Sequence, residues 1–390
     1  MPVEAKKHVV GITIEGPRKI GYREHVINEV PKGRFSFDVN ISAISPGTEL
    51  VPYAPPTDEA AELITYPIKK SGYANAAVVD RVHAHTDLLQ EGDRISINLG
   101  HRTGGIEEID GTEVNGRPSR DRWIKLPSDV PDDLGTLAIQ MMPIALVGAL
   151  TAADQLHGSK LSTLEGSLRG QQVMLNGAGP IGLLAGEALR YAGAEHIVVV
   201  DNSEDRLRRA RDLGMSTVNF SEVDPVKAVK ELFSEHRIEH GTDYGTGADI
   251  VVNTAPTHFA LDNGYRAARD QGLIVDMAYY AQPIPVAKGE HFHHRGLTDR
   301  SAQIGNIARR QRPEWSRRRL AESGLEIFQD RGELIRPALL THTAEFADAQ
   351  DVFDDYADRN PARLITVFTP GDVSRLPRME WDSPSLPTAA

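Results

Sequence analysis

Residues 173–214, VMLNGAGPIGLLAGEALRYAGAEHIVVVDNSEDRLRRARDLG, decide the fold of this 390-residue chain. A short apolar segment leads into glycines at 177, 179 and 182, and a segment with a helical pattern follows them. A second apolar segment, HIVVV, then ends at Asp201. Strand, glycine turn, helix, strand and acid in this order predict a Rossmann dinucleotide-binding domain.

The glycine turn and the acid also predict which cofactor binds. Gly177 is expected to make the tight turn, Gly179 to let the backbone approach the pyrophosphate, and Gly182 to let the helix pack closely. A carboxylate at position 201 accepts hydrogen bonds from the ribose hydroxyls of NAD and repels the extra phosphate of NADP. NAD is therefore the predicted cofactor, although Arg206 or Arg208 could bind a 2′-phosphate. The predicted cofactor-binding residues in this segment are Gly177, Gly179, Pro180, Ile181, Gly182, Asp201 and Arg206.

Composition narrows the class of protein. The net charge of −12 argues against a nucleic-acid-binding protein, which needs a basic surface to neutralise phosphates. No apolar run reaches the roughly 20 residues that cross a bilayer, and the first residues lack the pattern of a secretory signal. We expect a cytoplasmic protein. The complete lack of cysteine excludes disulfides, thiolate nucleophiles and zinc sites built on cysteine.

Before the Rossmann segment, the strand-like pattern of residues 9–126 predicts a β-rich segment. A linking helix is predicted over residues 143–156, followed by parallel strands at residues 173–175, 196–200, 249–252 and 273–276. After about residue 304 we expect an arginine-rich helix, and then a strand over residues 364–368 that returns to the first lobe. Residues 371–390 are rich in proline, serine and charge, which predicts a disordered tail.

This arrangement resembles the medium-chain dehydrogenase/reductase superfamily over nearly the whole chain to about residue 370. The resemblance implies an α/β fold with a central Rossmann domain, residues 148–305, built on a parallel sheet. It also implies a β-rich, GroES-like catalytic domain formed by residues 1–147 and 306–370. In this superfamily a basic residue in the final strand often contacts the cofactor pyrophosphate, which makes Arg363 a further cofactor-binding candidate.

The resemblance breaks at the zinc ligands. SAISPGTE, residues 42–49, resembles the segment that carries the first cysteine ligand of zinc alcohol dehydrogenases, but Ser45 stands in its place. SGYANAAVV, residues 71–79, resembles the segment with Gly-His-Glu, but Tyr73 replaces the histidine and Ala74 the glutamate. The segment that would map to the structural zinc lobe, residues 100–119, also lacks the cysteine ligands. We therefore predict no bound metal, and the pattern is similar to a zinc-free branch that includes bacteriochlorophyllide hydroxyethyl dehydrogenases.

Without zinc, protein groups must handle the proton of the reacting hydroxyl. Thr48 matches the hydroxyl residue that relays this proton in zinc-dependent relatives, and Tyr73 replaces a metal ligand. A phenol with a pKa near 10 would need a cationic neighbour to act as a base, and Lys69 or Lys70 could supply it. Ser45 and Glu49 lie on the same loop as Thr48 and complete the predicted catalytic set. Tyr73 could also be a buried aromatic, Thr48 a turn residue and Glu49 a structural acid.

Three other groups invite a functional interpretation. His291, His293 and His294 could bind a metal if they lay on a strand, but a solvated edge is the simpler interpretation. His101 could line the cleft, although a surface position is expected for a loop histidine. Residues 309–319, RRQRPEWSRRR, could hold an anionic substrate or form the solvated face of a helix anchored by Trp315, which we favour.

The predicted function is oxidation of a secondary hydroxyl of a sugar, cyclitol or specialised metabolite to a ketone by a zinc-independent, NAD-dependent enzyme. The resemblance implies a homodimer and a small-molecule substrate in the cleft between the lobes. A zinc-free enoyl or quinone reductase that uses NADPH is one alternative, and Asp201 argues against it. A catalytically silent nucleotide-binding protein is the other.

Overall fold

The computed structural model describes residues 3–109, 121–235, 245–286, 288–358, 360 and 363–380. In chain order its strands are β1 (Val3–Gly16), β2 (Lys19–Val30), β3 (Arg34–Ala43), β4 (Ala74–His83), β5 (Arg94–Ile97), β6 (Gly104–Glu108), β7 (Trp123–Lys125), β8 (Gln172–Asn176), β9 (His196–Asp201), β10 (Ser216–Asn219), β11 (Ala248–Asn253), β12 (Ala268–Asp276), β13 (Thr298–Ser301), β14 (Leu340–Glu345), β15 (Ile365–Thr369) and β16 (Met379–Glu380). The helices are α1 (Pro46–Tyr53), α2 (Asp58–Glu62), α3 (Asp132–Gly135), α4 (Met141–His157), α5 (Pro180–Tyr191), α6 (Glu204–Asp212), α7 (Pro225–Glu235), α8 (His258–Ala267), α9 (Arg317–Leu339) and α10 (Ala349–Ala357).

The chain divides into two compact units, which we call unit 1 (Met1–Gln140 with Leu340–Ala390) and unit 2 (Met141–Leu339). The boundaries differ from those expected at residues 147/148 and 305/306. The whole of α4 lies in unit 2 because it packs on α5 and α9, and α9 in turn packs on α5 and α6. Residues 306–339 therefore belong to the Rossmann unit, and the return to unit 1 begins only at β14.

Unit 2 is an α/β unit built on a parallel sheet with the strand order β10-β9-β8-β11-β12-β13. Its central strands β8 and β11 are buried along their whole length, as expected for a parallel sheet with helices on both faces. All four strands predicted in this segment, and the helix predicted over residues 143–156, are confirmed. Pro180 starts α5, where its fixed φ and missing N–H cost nothing.

Unit 1 is dominated by antiparallel strands, which confirms the β-rich lobe. The described residues form a sheet of order β14-β15-β3-β4-β5-β7, with β6 also paired to β3, and a smaller sheet of order β1-β2-β16. One part of the core of unit 1 is filled by Phe35, Phe37 and Trp123, and the rings of Phe35 and Trp123 pack edge to face. The predicted returning strand is β15, which pairs with the end of β3.

Three local predictions need correction. Residues 371–380 are not a disordered tail, because β16 pairs with β2 and satisfies backbone groups along its edge; residues 381–390 lie outside the described part of the chain. The arginine-rich helix begins at Arg317, and the residues before it form loops and a short turn at Arg309–Gln311. The SPGTE segment is not a loop, since Pro46 starts α1.

None of the helices in the described ranges is long and apolar enough to cross a membrane.

Candidate functional site

The glycine turn of unit 2 joins the end of β8 to the start of α5. Gly177 has a φ of 95°, a conformation that favours glycine, and its N–H bonds to Val200 O of β9 at 2.9 Å. A Cβ on Gly182 would lie 1.9 Å from Gly177 O, so only glycine lets the helix approach this closely. A Cβ on Gly179 would meet nothing within 4 Å. The space beside Gly179 is therefore free for a ligand at the N-terminus of a twelve-residue helix.

Asp201 lies at the end of β9 and faces this turn. Its Oδ2 accepts a hydrogen bond from Ala178 N at 2.8 Å, and its Oδ1 accepts from Asn202 N and Ser203 N at 2.8 and 2.9 Å. A carboxylate offers about four acceptor positions, so at least one stays free for a ligand hydroxyl. The residue is only 7% exposed, and its three backbone donors keep it in place.

Two arginines on α6 bear on the alternative cofactor. Arg208 is bound by Asp205 at 2.8 Å and by Asp212 at 3.2 Å, so its charge is already neutralised. Arg206 is half-buried, and its Nε has no hydrogen-bond partner among the described residues. Any contact with a 2′-phosphate would therefore fall to Arg206.

Sequence reasoning missed a polar group at the same edge of the sheet. Asn253, at the end of β11, is fully buried and donates from Nδ2 to Asp276 Oδ1 at 3.0 Å and to Tyr280 Oη at 2.8 Å. Burial raises the pKa of Asp276. The order of strands reverses between β8 and β11, and ligands of such sheets bind beside the carboxyl ends of the strands at this point. Polar residues at the last positions of buried strands were the available signal.

Three of the predicted catalytic residues meet in unit 1. The hydroxyls of Ser45 and Tyr73 form a short hydrogen bond, and Thr48 Oγ1 lies 3.4 Å from Tyr73 Oη. Burial raises the pKa of Tyr73, the hydrogen bonds with Ser45 and Thr48 partly offset the rise, and the charge of Glu49 adds to it. The influence expected of Lys69 or Lys70 on this pKa stays a prediction. A phenol whose pKa is raised above its usual value near 10 keeps its proton at neutral pH.

The fourth predicted residue, Glu49, has a different place. It is 3% exposed and forms hydrogen bonds with Ser45 N at 2.7 Å, Ser71 Oγ at 3.0 Å and His101 Nε2 at 2.8 Å. His101 is 1% exposed, so the surface position expected for it is wrong. The printed sequence gives no local signal for this pair, because the partners are 52 residues apart.

The remaining candidate residues either pair with another residue or lie in a different kind of element than expected. Arg363 is ion-paired with Asp355 at 2.7 Å inside unit 1, so its binding to a pyrophosphate would have to compete with that pair. His291, His293 and His294 lie on or beside a helical turn and not on a strand, and they are exposed. In the described ranges no group of three His, Asp or Glu side chains could hold a metal ion.

The arginine-rich segment is mainly structural. The carboxylate of Asp154, which is fully buried in α4, is bound by Arg300 at 2.6 Å and Arg310 at 2.7 Å. Trp315 is 3% exposed, its Nε1 donates to Leu161 O at 3.1 Å, and Arg319 stacks over its ring. The anchoring role predicted for Trp315 is confirmed, and Arg310, expected on the solvated face of a helix, pairs instead with a buried carboxylate.

Comparison with known proteins gives the following similarities. Residues 180–322 match the family described as "Zinc-binding dehydrogenase". An L-threonine 3-dehydrogenase from Anaeromyxobacter dehalogenans is 29% identical over 196 residues, which are 45% of this chain and 51% of that protein. The chain thus spans about half the length of the curated relatives it matches.

Solved structures show the same fold over nearly the whole chain. The 2R,3R-butanediol dehydrogenase from Bacillus subtilis is similar with a TM-score of 0.70 and 16% identity, covering 93% of this chain and 99% of that one. An alcohol dehydrogenase from E. coli CFT073 complexed with NADH has a TM-score of 0.66, 19% identity and coverage of 93% and 99%. A dehydrogenase from Sinorhizobium meliloti 1021 bound to NADP has a TM-score of 0.66, 17% identity and coverage of 94% and 100%. These structures show the fold, and the family match is confined to residues 180–322.

The family description implies a zinc ion, and the described donors at the segments that resemble the ligand sites do not fit one. The residues that resemble the ligand segments carry two hydroxyls bonded to each other, at Ser45 and Tyr73, and a methyl group at Ala74. Zinc takes thiolate, imidazole and carboxylate ligands. The nearby imidazole of His101 and carboxylate of Glu49 are already bonded to each other. We derive no step through a metal.

Proposed function

We propose that this chain, as a protein with the medium-chain dehydrogenase fold, is an NAD-dependent enzyme that oxidises a secondary hydroxyl to a ketone without a catalytic zinc. The observation that carries the proposal is the hydroxyl cluster of Ser45, Thr48 and Tyr73, which stands at the segments resembling the zinc site. The relatives named for threonine and butanediol oxidation support a secondary alcohol, since both names describe one.

The cofactor would be held by the described residues of unit 2. The free N–H groups at the start of α5 would bind the pyrophosphate beside Gly179, and Asp201 would accept hydrogen bonds from the adenosine ribose. NAD supplies the acceptor for the hydride that leaves the carbinol carbon. Arg206 lies five residues after Asp201 in the sequence, and its buried Nε has no hydrogen-bond partner among the described residues.

The hydroxyl proton would be handled by unit 1. As the hydride leaves, the substrate hydroxyl would pass its proton to Tyr73 Oη while Tyr73 passes its own proton to the Thr48 hydroxyl, so the phenol stays neutral. Thr48 is exposed and contacts Tyr73, so it offers a path along which the proton reaches solvent. In the reverse direction the same phenol would donate a proton to the oxygen of a ketone.

Two finer proposals concern cofactor choice and assembly. The carboxylate of Asp201 favours NAD over NADP, and this disfavours the NADPH-dependent reductase. β13 is an edge strand of the described sheet, which supports a homodimer formed through sheet edges. Light scattering on a size-exclusion column would measure the mass, and a monomer at micromolar concentration would contradict the dimer.

One experiment tests the function as a whole. The purified full chain is analysed for metal by mass spectrometry, titrated with NADH and with NADPH by calorimetry, and assayed for NADH formation with secondary alcohols, including 2,3-butanediol, L-threonine and sugar alcohols. We expect NADH to bind more tightly, no stoichiometric zinc, and turnover of at least one alcohol that persists in a chelator. Stoichiometric zinc, or tighter binding of NADPH, would contradict the proposal. Tight NADH binding without any turnover would favour the catalytically silent protein.

A further inference from the structure

Three separate segments of unit 1 meet at one buried carboxylate. Glu49 Oε1 accepts from Ser45 N at 2.7 Å, which holds the first turn of α1. Glu49 Oε2 accepts from Ser71 Oγ at 3.0 Å, just before β4, and bonds with His101 Nε2 at 2.8 Å. The carboxylate therefore connects the segment that carries Ser45 to the segment that carries Tyr73.

His101 completes the connection from the other side. Its Nδ1 lies 2.5 Å from Ser42 Oγ on β3, and its backbone N–H donates to Ser71 O at 2.7 Å. Gly72 has a φ of 84°, and a Cβ there would lie 2.5 Å from His101 Nε2. The imidazole thus packs directly against the backbone that precedes Tyr73, and only glycine leaves it room.

We propose that Glu49 and His101 are positioning residues that hold the hydroxyls of Ser45 and Tyr73 in contact. This inference rests on the proposed function of that hydroxyl cluster. Both residues act on Tyr73 indirectly: Glu49 acts through the backbone of Ser45, and His101 acts through Glu49 and the backbone at residue 72.

The physical reason lies in how the geometry of a reacting centre is fixed. A zinc ion would hold its ligands by direct bonds, whereas two hydroxyls on different segments rely on the hydrogen bonds of the residues behind them. Both positioning residues are almost fully buried, so water does not compete for these bonds. A displacement of about 1 Å at a reacting centre can lower a rate by about 100-fold.

The test compares two substitutions of His101. Each preserves the hydrogen bond of one of the two ring nitrogens and removes the other. In His101→Gln the amide nitrogen can take the place of Nε2 and still donate to Glu49. In His101→Asn the amide can reach Ser42 but not Glu49. His83→Asn is the matched control, because His83 lies in the same unit and its Nδ1 bonds to Val30 O at 2.8 Å, outside the hydroxyl cluster.

The readout is the ¹³Cζ resonance of Tyr73 in the full chain labelled at tyrosine, assigned from its absence in Tyr73→Phe. We expect this resonance to move in His101→Asn, to return toward its wild-type position in His101→Gln, and to stay unchanged in the control. An unmoved Tyr73 resonance in a folded His101→Asn protein would overturn the proposal. If that variant does not fold, Glu49→Gln replaces it, because an amide has too few acceptor positions for the three donors, and an unmoved resonance would again overturn the proposal.

A kinetic measurement separates positioning from the function itself. With an alcohol that the wild type oxidises, we expect His101→Asn to lower kcat by about 10- to 100-fold with the KM for NAD unchanged, and His101→Gln to recover most of the loss. A wild-type kcat in His101→Asn would overturn the positioning role. The resonance of Tyr73 does not depend on turnover, so a failure of the proposed function leaves this inference testable.

Discussion

Asp201→Asn tests the cofactor preference most directly, because it keeps the shape of the side chain and removes its charge. A hydrogen bond to a charged group contributes about 1.5–3 kcal/mol, and the neutral amide keeps only part of this. A loss of about 1.4 kcal/mol weakens NADH binding about tenfold. A 2′-phosphate about 5 Å from the carboxylate would be repelled by roughly 3 kcal/mol at an effective dielectric constant of 20, and this repulsion disappears in the variant.

We therefore expect the ratio of the two dissociation constants to shift toward NADPH by about 100-fold or more, measured by calorimetric titration. Asp249→Asn is the matched control. Asp249 is also buried, accepts from Gln172 N at 2.8 Å and pairs with Arg269, but it lies at the amino end of β11, on the opposite edge of the sheet. An unchanged NADH/NADPH ratio in Asp201→Asn, or an equal shift in the control, would refute the assignment of Asp201 to the ribose.

Three further predictions follow from the same geometry. Tyr73→Phe should lower kcat by about 100-fold or more while the Kd of NADH stays unchanged, and wild-type turnover would exclude the phenol from proton transfer. Gly182→Ala should lower Tm strongly, because its Cβ would overlap Gly177 O, whereas Gly179→Ala should fold normally and bind NADH more weakly; equal Tm values for the two would contradict the close approach. Burial raises the pKa of Asp154, but hydrogen bonds with its arginine and glutamine partners lower it to about 2. The carboxylate therefore stabilises the fold by about 2 kcal/mol above pH 4, and this contribution is lost as the pH falls through 2. Asp154→Asn should lower the free energy of unfolding at pH 7 by at least that amount, measured by urea titration. A change below about 0.5 kcal/mol would contradict this prediction.

The sequence determined the Rossmann unit because its signals are local. The glycine spacing, the apolar runs and Asp201 fall within 42 contiguous residues, 173–214, and backbone sterics and burial dictate what each must do. The roles expected of Gly177 and Gly182 in the turn appear in the structure as a positive φ and a close backbone contact. The meeting of Ser45, Thr48 and Tyr73 was also expected, although from a resemblance and not from spacing.

Only the tertiary structure decided which buried groups hold the residues of the hydroxyl cluster in place. The glycine-rich segment around His101 predicts a surface histidine. In the structure His101 is a buried partner of Glu49, because β3, α1 and the start of β4 converge there. Asp154 and Arg310 are likewise 156 residues apart, and the half-exposed arginine pairs with the buried carboxylate. Propensity and periodicity act between near neighbours, whereas the pairing of buried polar groups depends on how distant segments pack. The sequence by itself therefore determined the glycine turn and the parallel sheet of unit 2, and the folded chain decided how the hydroxyl cluster is held.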